Sequence, residues 1–393
     1  MDIQKPTLSF CLDKSTRHED FLLFFQDQLP EPYLSPTLFS IVSRYKGFID
    51  NMESTKRWDY AKKISNDYEL VNQGGNRSVS SINPISRSYF KLLEIIHDFG
   101  LVSRDKSTCR YAAIAEGPGG FVECFIRYRK SLFLGRDDHI YCITLRSDSS
   151  EIPNWNKAES LFHKHNVHVS YGKDGTGDLY CPENIMHYRD EVGGNTADLV
   201  TADGGFDYSI DFNKQEQLSL KLIYAEIVAA LLTNAKGGSF VLKIFDIYTV
   251  LTAKLIYLLC HYYDRVTITK PVTSRPANSE KYVVAQGFRG IRDKDVTMLL
   301  DTLRDWNQQE EKGLYIDDIH GIFPSLVFIE QIRILNIEYA RQQLRNILKT
   351  IVFIEKNLHV KDLNYLKQCQ TLYALDWCRK YDNPINHACV YLR

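Results

Sequence analysis

Lys243 stands in the middle of an apolar run, Ser239-Phe-Val-Leu-Lys-Ile-Phe245. Lysine is among the residues least often buried without a partner, so it needs a carboxylate there, or a route to water along its stem. Three carboxylates are candidates to hold it. Asp203 opens Asp-Gly-Gly-Phe206 after the apolar run Asp198-Leu-Val-Thr-Ala202. Asp246 follows the lysine run directly. Glu280 closes Ser274-Arg-Pro-Ala-Asn-Ser-Glu280, just ahead of Tyr282-Val-Val. Upstream, Glu116-Gly117-Pro118-Gly119-Gly120-Phe121 follows the apolar Tyr111-Ala-Ala-Ile-Ala115. Glycines there let the backbone turn sharply and let a ligand approach main-chain atoms. Taken singly, these stretches also read as a strand-to-helix turn, an Asx turn, an edge lysine and a solvated hairpin tip. Together they put polar groups and glycines at the ends of strand-like runs, as a shared crevice requires. The glycine turn is no phosphate loop, because no Gly-Lys-Ser/Thr follows. It is no dinucleotide fingerprint either, since Val122 stands where the third glycine belongs.

The positioning elements are legible as an alternation. A helix over 84–100 has Ile85, Leu92, Leu93, Ile95, Ile96 and Phe99 on one side and stops at Gly100. Strands are expected at 111–115, 140–145, 167–170, 198–202 and 239–245, with helices from 122, over 217–234 and over 251–263. Strands at 266–269 and 282–286 have no helix between them, so they form an antiparallel pair on which the sheet ends. This pattern is an open α/β sheet with helices on both faces. Leu38 to Lys63 reads as helical, with a basic cluster, Lys56, Arg57, Lys62 and Lys63. Residues 73–83 read as a loop. The expected division is a mostly helical N-terminal extension over 1–80, a central α/β domain over 81–290, and a helical C-terminal region over 291–393.

Composition sets the bounds. The 393 residues are 44% hydrophobic and 25% charged, an ordinary globular mixture with a net charge of −1. No bulk positive field attracts nucleic acid, so basic surface for RNA has to be local. The first residues carry neither the basic nor the apolar region of a secretory leader, and no run is long enough to span a membrane. Nine scattered cysteines without a Cys-x-x-Cys pair read as free thiols in a reducing compartment. No metal site is expected; His387-Ala-Cys389 alone does not make one.

The motifs resemble those of FtsJ-like (RrmJ-type) RNA 2'-O-methyltransferases, most of all the branch that methylates the ribose of the first nucleotides of capped mRNA. The resemblance rests on Glu116–Phe121, Asp174-Gly-Thr-Gly-Asp178 with Pro182-Glu-Asn-Ile185, Ala202–Phe206, Lys243-Ile-Phe-Asp246 and Ser274–Glu280. It covers roughly residues 81 to 290. It implies a Rossmann-like sheet with a reversed last strand, S-adenosylmethionine as methyl donor, and a Lys-Asp-Lys-Glu tetrad. Asp203, Lys243 and Glu280 match its last three places, and Lys91, four residues after Arg87, matches the first. It places the cofactor at Glu116, Gly117, Pro118, Gly119, Gly120, Phe121, Asp178 and Asp203, with Ser147 and Asp148 as candidates at the ribose. The family's acidic residue at the end of strand one is here Ala113, and Glu116 lies three positions on. Arg87, Asp246, Ser274 and Arg275 are implied at the RNA. A ribose hydroxyl is a poor nucleophile, so the reaction needs alignment and a base. Lysine serves as base only with a lowered pKa, which burial beside Lys91 is expected to supply. The resemblance also implies a capped RNA partner, a capping enzyme alongside and a cytoplasmic setting. A composition rich in Ile, Tyr, Lys and Asn resembles versions from large cytoplasmic DNA viruses. The same fold acting on ribosomal or transfer RNA, and a non-catalytic RNA-binding module, are the alternatives.

Overall fold

The structure is a computed structural model that describes residues 5–11, 18–53, 56–134, 137–147, 154–205, 212–356 and 359–393. Two strands come first, β1 (Thr7–Phe10) and β2 (Leu22–Gln26), then helices α1 (Pro36–Glu53), α2 (Lys56–Ser65) and α3 (Ser88–Phe99). The alternation follows: β3 (Arg110–Ile114), α4 (Gly120–Ser131), β4 (His139–Ile143), a short α5 (Glu159–Phe162), β5 (Val167–Ser170), α6 (Pro182–Val192), β6 (Ala197–Ala202), α7 (Gln215–Thr233), β7 (Asn234–Ile244) and α8 (Val250–Tyr262). After β8 (Tyr263–Thr269) and β9 (Lys281–Phe288) come α9 (Asp293–Glu310), β10 (Tyr315–His320), α10 (Leu326–Glu355) and α11 (Val360–Lys380). Among the described residues, no helix is long and apolar enough to cross a membrane.

The central sheet has the order β1-β8-β9-β7-β6-β3-β4-β5. Strands β3 to β7 pair in parallel, whereas β9 runs antiparallel to both β7 and β8. This is the expected α/β sheet with a reversed strand. The side chains of β3 alternate between two cores, as a period of two demands. Ala112 and Ile114 face the core built with α6 to α10, while Tyr111 and Ala113 face the one built with α3, α4 and α11. Because the parallel strands are covered on both faces, they read as continuous apolar runs.

One expectation is corrected. The sheet does not end on the β8–β9 hairpin, because β1 pairs antiparallel along the free edge of β8, with Ser9 and Thr267 hydroxyls 2.8 Å apart. Four residues are too short a run for period-two alternation to announce a strand. The helical reading over 38–63 corresponds to α1 and α2. The terminal regions also carry strands besides helices: β2 pairs with β10 in a small second sheet. Helices α1 and α2 pack against α10, which carries them alongside the Ser274–Glu280 turn.

Candidate active site

Parallel strands deliver their carboxyl ends to one edge of a sheet, and that edge holds the crevice where strand order reverses. Here the reversal lies at β3, which has β4 on one side and β6 on the other. The Glu116–Gly120 turn leaves the end of β3, Asp203 follows β6, and Lys243 is the penultimate residue of β7. Asp178 joins them because Gly177 lies against the end of β4. A Cβ on Gly177 would meet the Thr144 carbonyl oxygen at 1.9 Å, so only glycine permits that approach.

Lys243 meets Asp203 in two ways. Its Nζ donates to the Asp203 backbone carbonyl at 2.6 Å and lies 3.4 Å from Oδ1. Tyr282, directly across from Lys243 on β9, donates its hydroxyl to the same Oδ1 at 2.9 Å. Glu280 turns instead to Lys91, with Nζ 2.8 Å from Oε2, and accepts from the Ser274 hydroxyl on Oε1 at 2.8 Å. The four residues therefore form two ion pairs, Lys91–Glu280 and Lys243–Asp203, rather than a Glu280–Lys243 contact made by the hairpin.

The expected lowered pKa of Lys243 is not found. Burial pushes its ammonium down, but the carboxylates of Asp203, Glu280 and Glu226 outweigh burial and hold it above the ordinary lysine value. Lys91 lends little opposing charge because Glu280 already neutralises it. Burial would raise Glu280, yet Lys91, Lys243 and Lys270 bring it down to about 2. Glu226 is a site residue the sequence reading missed. It comes from α7, is buried, and accepts the Gly204 N–H at 3.0 Å. Burial lifts its carboxyl to about 8 despite the nearby Lys243. A single glutamate in Tyr224-Ala-Glu-Ile-Val-Ala-Ala-Leu-Leu232, a helix buried nearly all round, was the available signal.

The glycine turn has a second reason for its glycines. Gly119 sits at φ 107°, and a Cβ there would lie 3.0 Å from the Ala158 Cβ. A Cβ on Gly120 would strike the Ser88 hydroxyl at 2.2 Å. Neighbouring elements thus demand bare backbone at this turn. Glu116 does not project from it. Its side chain is buried, with Oε1 accepting from Thr201 at 2.8 Å and Oε2 lacking a hydrogen-bond partner among the described residues. Burial, then the charge of Asp203, holds its carboxyl well above the usual range. An orphaned carboxyl oxygen beside a glycine turn at the switch point fits a polar ligand group there. Asp178 is half-buried and accepts the Tyr180 N–H at 2.8 Å, which closes its own loop. Ser147 lies after β4; Asp148 and Phe206 lie outside the described residues.

Of the residues expected at RNA, two are engaged elsewhere. Asp246 is 8% exposed and sits between Lys281 at 3.0 Å and Lys46 at 3.1 Å. Ser274 is 2% exposed and serves Glu280. Arg87 and Arg275 remain part-exposed, and both reach the buried Glu69 carboxylate, at 3.3 and 3.2 Å. Beside Glu280 opens a cavity of about 400 Å³ between α1, α2, α10 and the turn. Trp58, Phe245, Lys46, Lys62, Arg275 and Gln343 line it. Of the basic cluster, Lys62 faces this cavity and pairs with Asp59, while Arg57 lies at a separate hollow near Tyr60.

Residues 84–288 match the FtsJ-like methyltransferase family. The chain belongs to that family. S-adenosylmethionine is the methyl donor of these FtsJ-like enzymes, and the crevice described above is where the sheet would receive it. Among curated relatives, the cap-specific mRNA (nucleoside-2'-O-)-methyltransferase 1 of Danio rerio is 28% identical over 371 residues, covering 87% of this chain and 42% of that protein. The Dictyostelium discoideum protein of the same name is 28% identical over 314 residues, covering 75% and 40%. The Mus musculus one is 39% identical over 190 residues, covering 47% and 22%. The chain spans less than half the length of these relatives. A solved structure of a ribosomal RNA methyltransferase from Plasmodium falciparum aligns at TM-score 0.37 and 18% identity, over 52% of this chain and 99% of that one.

Proposed function

We propose that this FtsJ-like chain transfers a methyl group from S-adenosylmethionine to a ribose 2'-hydroxyl of RNA, and that its substrate is the first transcribed nucleotide of capped mRNA. The observation that carries the reading is the pair of part-buried ion pairs, Lys91–Glu280 and Lys243–Asp203, at the carboxyl edge of the sheet beside the glycine turn. The relatives are named as cap-specific methyltransferases, which favours capped RNA over ribosomal or transfer RNA. The bound cofactor would supply an electrophilic methyl carbon for in-line displacement. The residues of this chain then have two tasks, to align the ribose oxygen and to take its proton.

Lys243 is the base in this reading, with Asp203 and Tyr282 fixing where its nitrogen stands. Its proton is held by three carboxylates in the ligand-free chain. A cation placed beside Asp203 weakens that hold, since Asp203's charge is then shared. Lys91 and Glu280 neutralise each other and keep a bare charge out of the buried edge. Arg275 shares the Glu69 carboxylate with Arg87, which leaves positive charge on Arg275 in the cavity wall for RNA phosphate. Trp58 and Phe245 offer aromatic faces in the same cavity for a base or an alkylated guanine. A capping-enzyme partner and a reducing, cytoplasmic setting belong to the same reading; all nine cysteines are free thiols, which supports the setting.

The test is methyl transfer from labelled S-adenosylmethionine to short RNA with an N7-methylguanosine cap, against the same RNA with a 5'-triphosphate. Nuclease digestion and mass spectrometry should place the methyl on the first ribose. Methylation of a base, or equal activity on uncapped or structured RNA, refutes the cap assignment.

A further inference from the structure

Lys270 follows β8 directly, at the foot of the Ser274–Glu280 turn. Its Nζ reaches both arms of that turn: the Asn278 side-chain oxygen at 2.7 Å, the Asn278 carbonyl at 2.9 Å and the Glu280 carbonyl at 2.7 Å. The Ser274 hydroxyl lies 3.4 Å away. Three acceptors within 3 Å match the three N–H donors of an ammonium. Ser274 in turn directs its hydroxyl to Glu280 Oε1, while Lys91 takes Oε2. The outer side of the turn is pinned separately, by Gln343 on the Ala277 carbonyl at 2.8 Å and by Ser279 on Gln215 at 2.7 Å. Lys281, next in the chain to Glu280, is directed to Asp246 and the Phe245 carbonyl and also donates to the Ser279 carbonyl at 2.8 Å, so it holds the far end of the turn and leaves Asn278 and the Glu280 carbonyl to Lys270.

We propose that Lys270 is a positioning residue for methyl transfer: it braces the turn from inside so that the Glu280 carboxylate stands between Ser274 and Lys91. The proposal rests on the methyltransferase reading for its kinetic consequences, and on geometry alone for the placement of Glu280. Lys270 does not touch the Glu280 carboxylate, and it acts through the backbone carbonyl of that residue. Its own charge is poorly hosted. Burial and then Lys281 lower its ammonium to about 7, with Lys91 adding to the effect and Glu280 and Asp246 opposing it. A methionine of similar length would escape that burden. It would also leave three oxygens of the turn without their donor, so a merely structural lysine at this place should cost some stability on replacement while kcat holds.

The experiment compares the full chain with Lys270→Met and Lys270→Arg. Melting temperature, S-adenosylmethionine affinity by calorimetry, and kcat and KM on capped RNA are measured for each. The expected result for Lys270→Met is a melting temperature within a few degrees of wild type, cofactor affinity and KM within about twofold, and kcat down at least tenfold, or about 1.4 kcal/mol. Lys270→Arg, which keeps charge and donors, should recover part of kcat. A crystal structure of Lys270→Met should find Glu280 beyond hydrogen-bond reach of Lys91. Wild-type kcat in Lys270→Met overturns the proposal, and so does an unmoved Glu280. If the wild type itself transfers no methyl group, the functional reading fails, and the position of Glu280 in the variant still decides the brace.

Discussion

Asp203→Asn is the substitution that isolates what governs the proton on Lys243. Asparagine keeps an oxygen where Tyr282 donates and leaves untouched the backbone carbonyl that Lys243 contacts at 2.6 Å. What disappears is one negative charge 3.4 Å from Nζ, between side chains that are 12% and 15% exposed. At an effective dielectric of about 20, unit charges at that distance attract by about 5 kcal/mol, an upper figure because water still reaches both groups. An opposite charge this close commonly moves a pKa by about 1–3 units. With Asp203 neutral, burial works against only Glu280 and Glu226, so the Lys243 midpoint should fall by at least one pH unit. Direct titration of ¹³C-labelled lysine side chains by NMR, in the ligand-free protein, measures this without depending on catalysis. The sign for activity follows from the base role. Rate rises as Lys243 loses its proton, so whatever kcat survives should show its acid limb shifted to lower pH. Stability has the opposite sense. A lysine with a raised folded-state pKa stabilises fully below the unfolded value and loses that contribution as pH rises through the folded one. The wild type should therefore weaken above about pH 10, and the variant should lack that alkaline step. An unchanged Lys243 midpoint in a folded Asp203→Asn protein would refute the electrostatic account.

Glu116→Gln should leave stability at pH 7 to 8 equal to or above wild type. The wild-type carboxyl is raised, so it costs stability as pH climbs above the unfolded value near 4.3, and urea titrations at several pH values measure the difference. Lys281→Met should destabilise by about 3 kcal/mol in urea denaturation, because it strands Asp246 in a buried site with only Lys46. Asp246 itself is held near 2 because Lys281 and Lys46 outweigh its burial, so its stabilising effect should persist until pH falls from about 4 towards about 2. Arg275→Ala should raise KM for capped RNA several-fold in steady-state assays while kcat and cofactor affinity hold, because Arg275 faces the cavity and no cofactor element.

The sheet was legible because a parallel strand covered on both faces has to be a short apolar run, and the runs at 198–202 and 239–245 were each followed by an aspartate. Lys243 was legible for the same reason: one charge inside SFVLKIF has no bland neighbours to hide among. The partners of these charges were not. Which carboxylate meets which lysine depends on strand order, and β9 lies between β7 and β8, where the order along the chain would not place it. That insertion sets Tyr282 opposite Lys243 and carries Glu280 past it to Lys91. Glu226, Glu94 and Glu69 sit in helical segments, where a glutamate ordinarily marks the solvated face. Nothing in a single sequence separates a buried helical carboxylate from an exposed one until its neighbours are known.

Glu94 explains how the Lys91–Glu280 pair keeps its geometry. It lies one turn beyond Lys91 on α3, fully buried, and accepts from the Val272 and Thr273 amides at 2.9 Å each and from the Thr273 hydroxyl at 2.6 Å. It also accepts from Trp377 of α11 at 3.1 Å and from Lys5 beside β1. One carboxylate thus fixes the helix that carries Lys91 to the segment leading into the Glu280 turn, and ties both to the two ends of the chain. Glu69 does the same for Arg87 and Arg275 from the N-terminal extension. The terminal regions therefore belong to the site mechanically. They hold α3 against the turn, and the Lys91–Glu280 distance is set by that packing rather than by the sheet. The Lys243–Asp203 distance, in contrast, is fixed within the sheet by the parallel pairing of β6 and β7. A perturbation of the extensions should move one ion pair and leave the other in place.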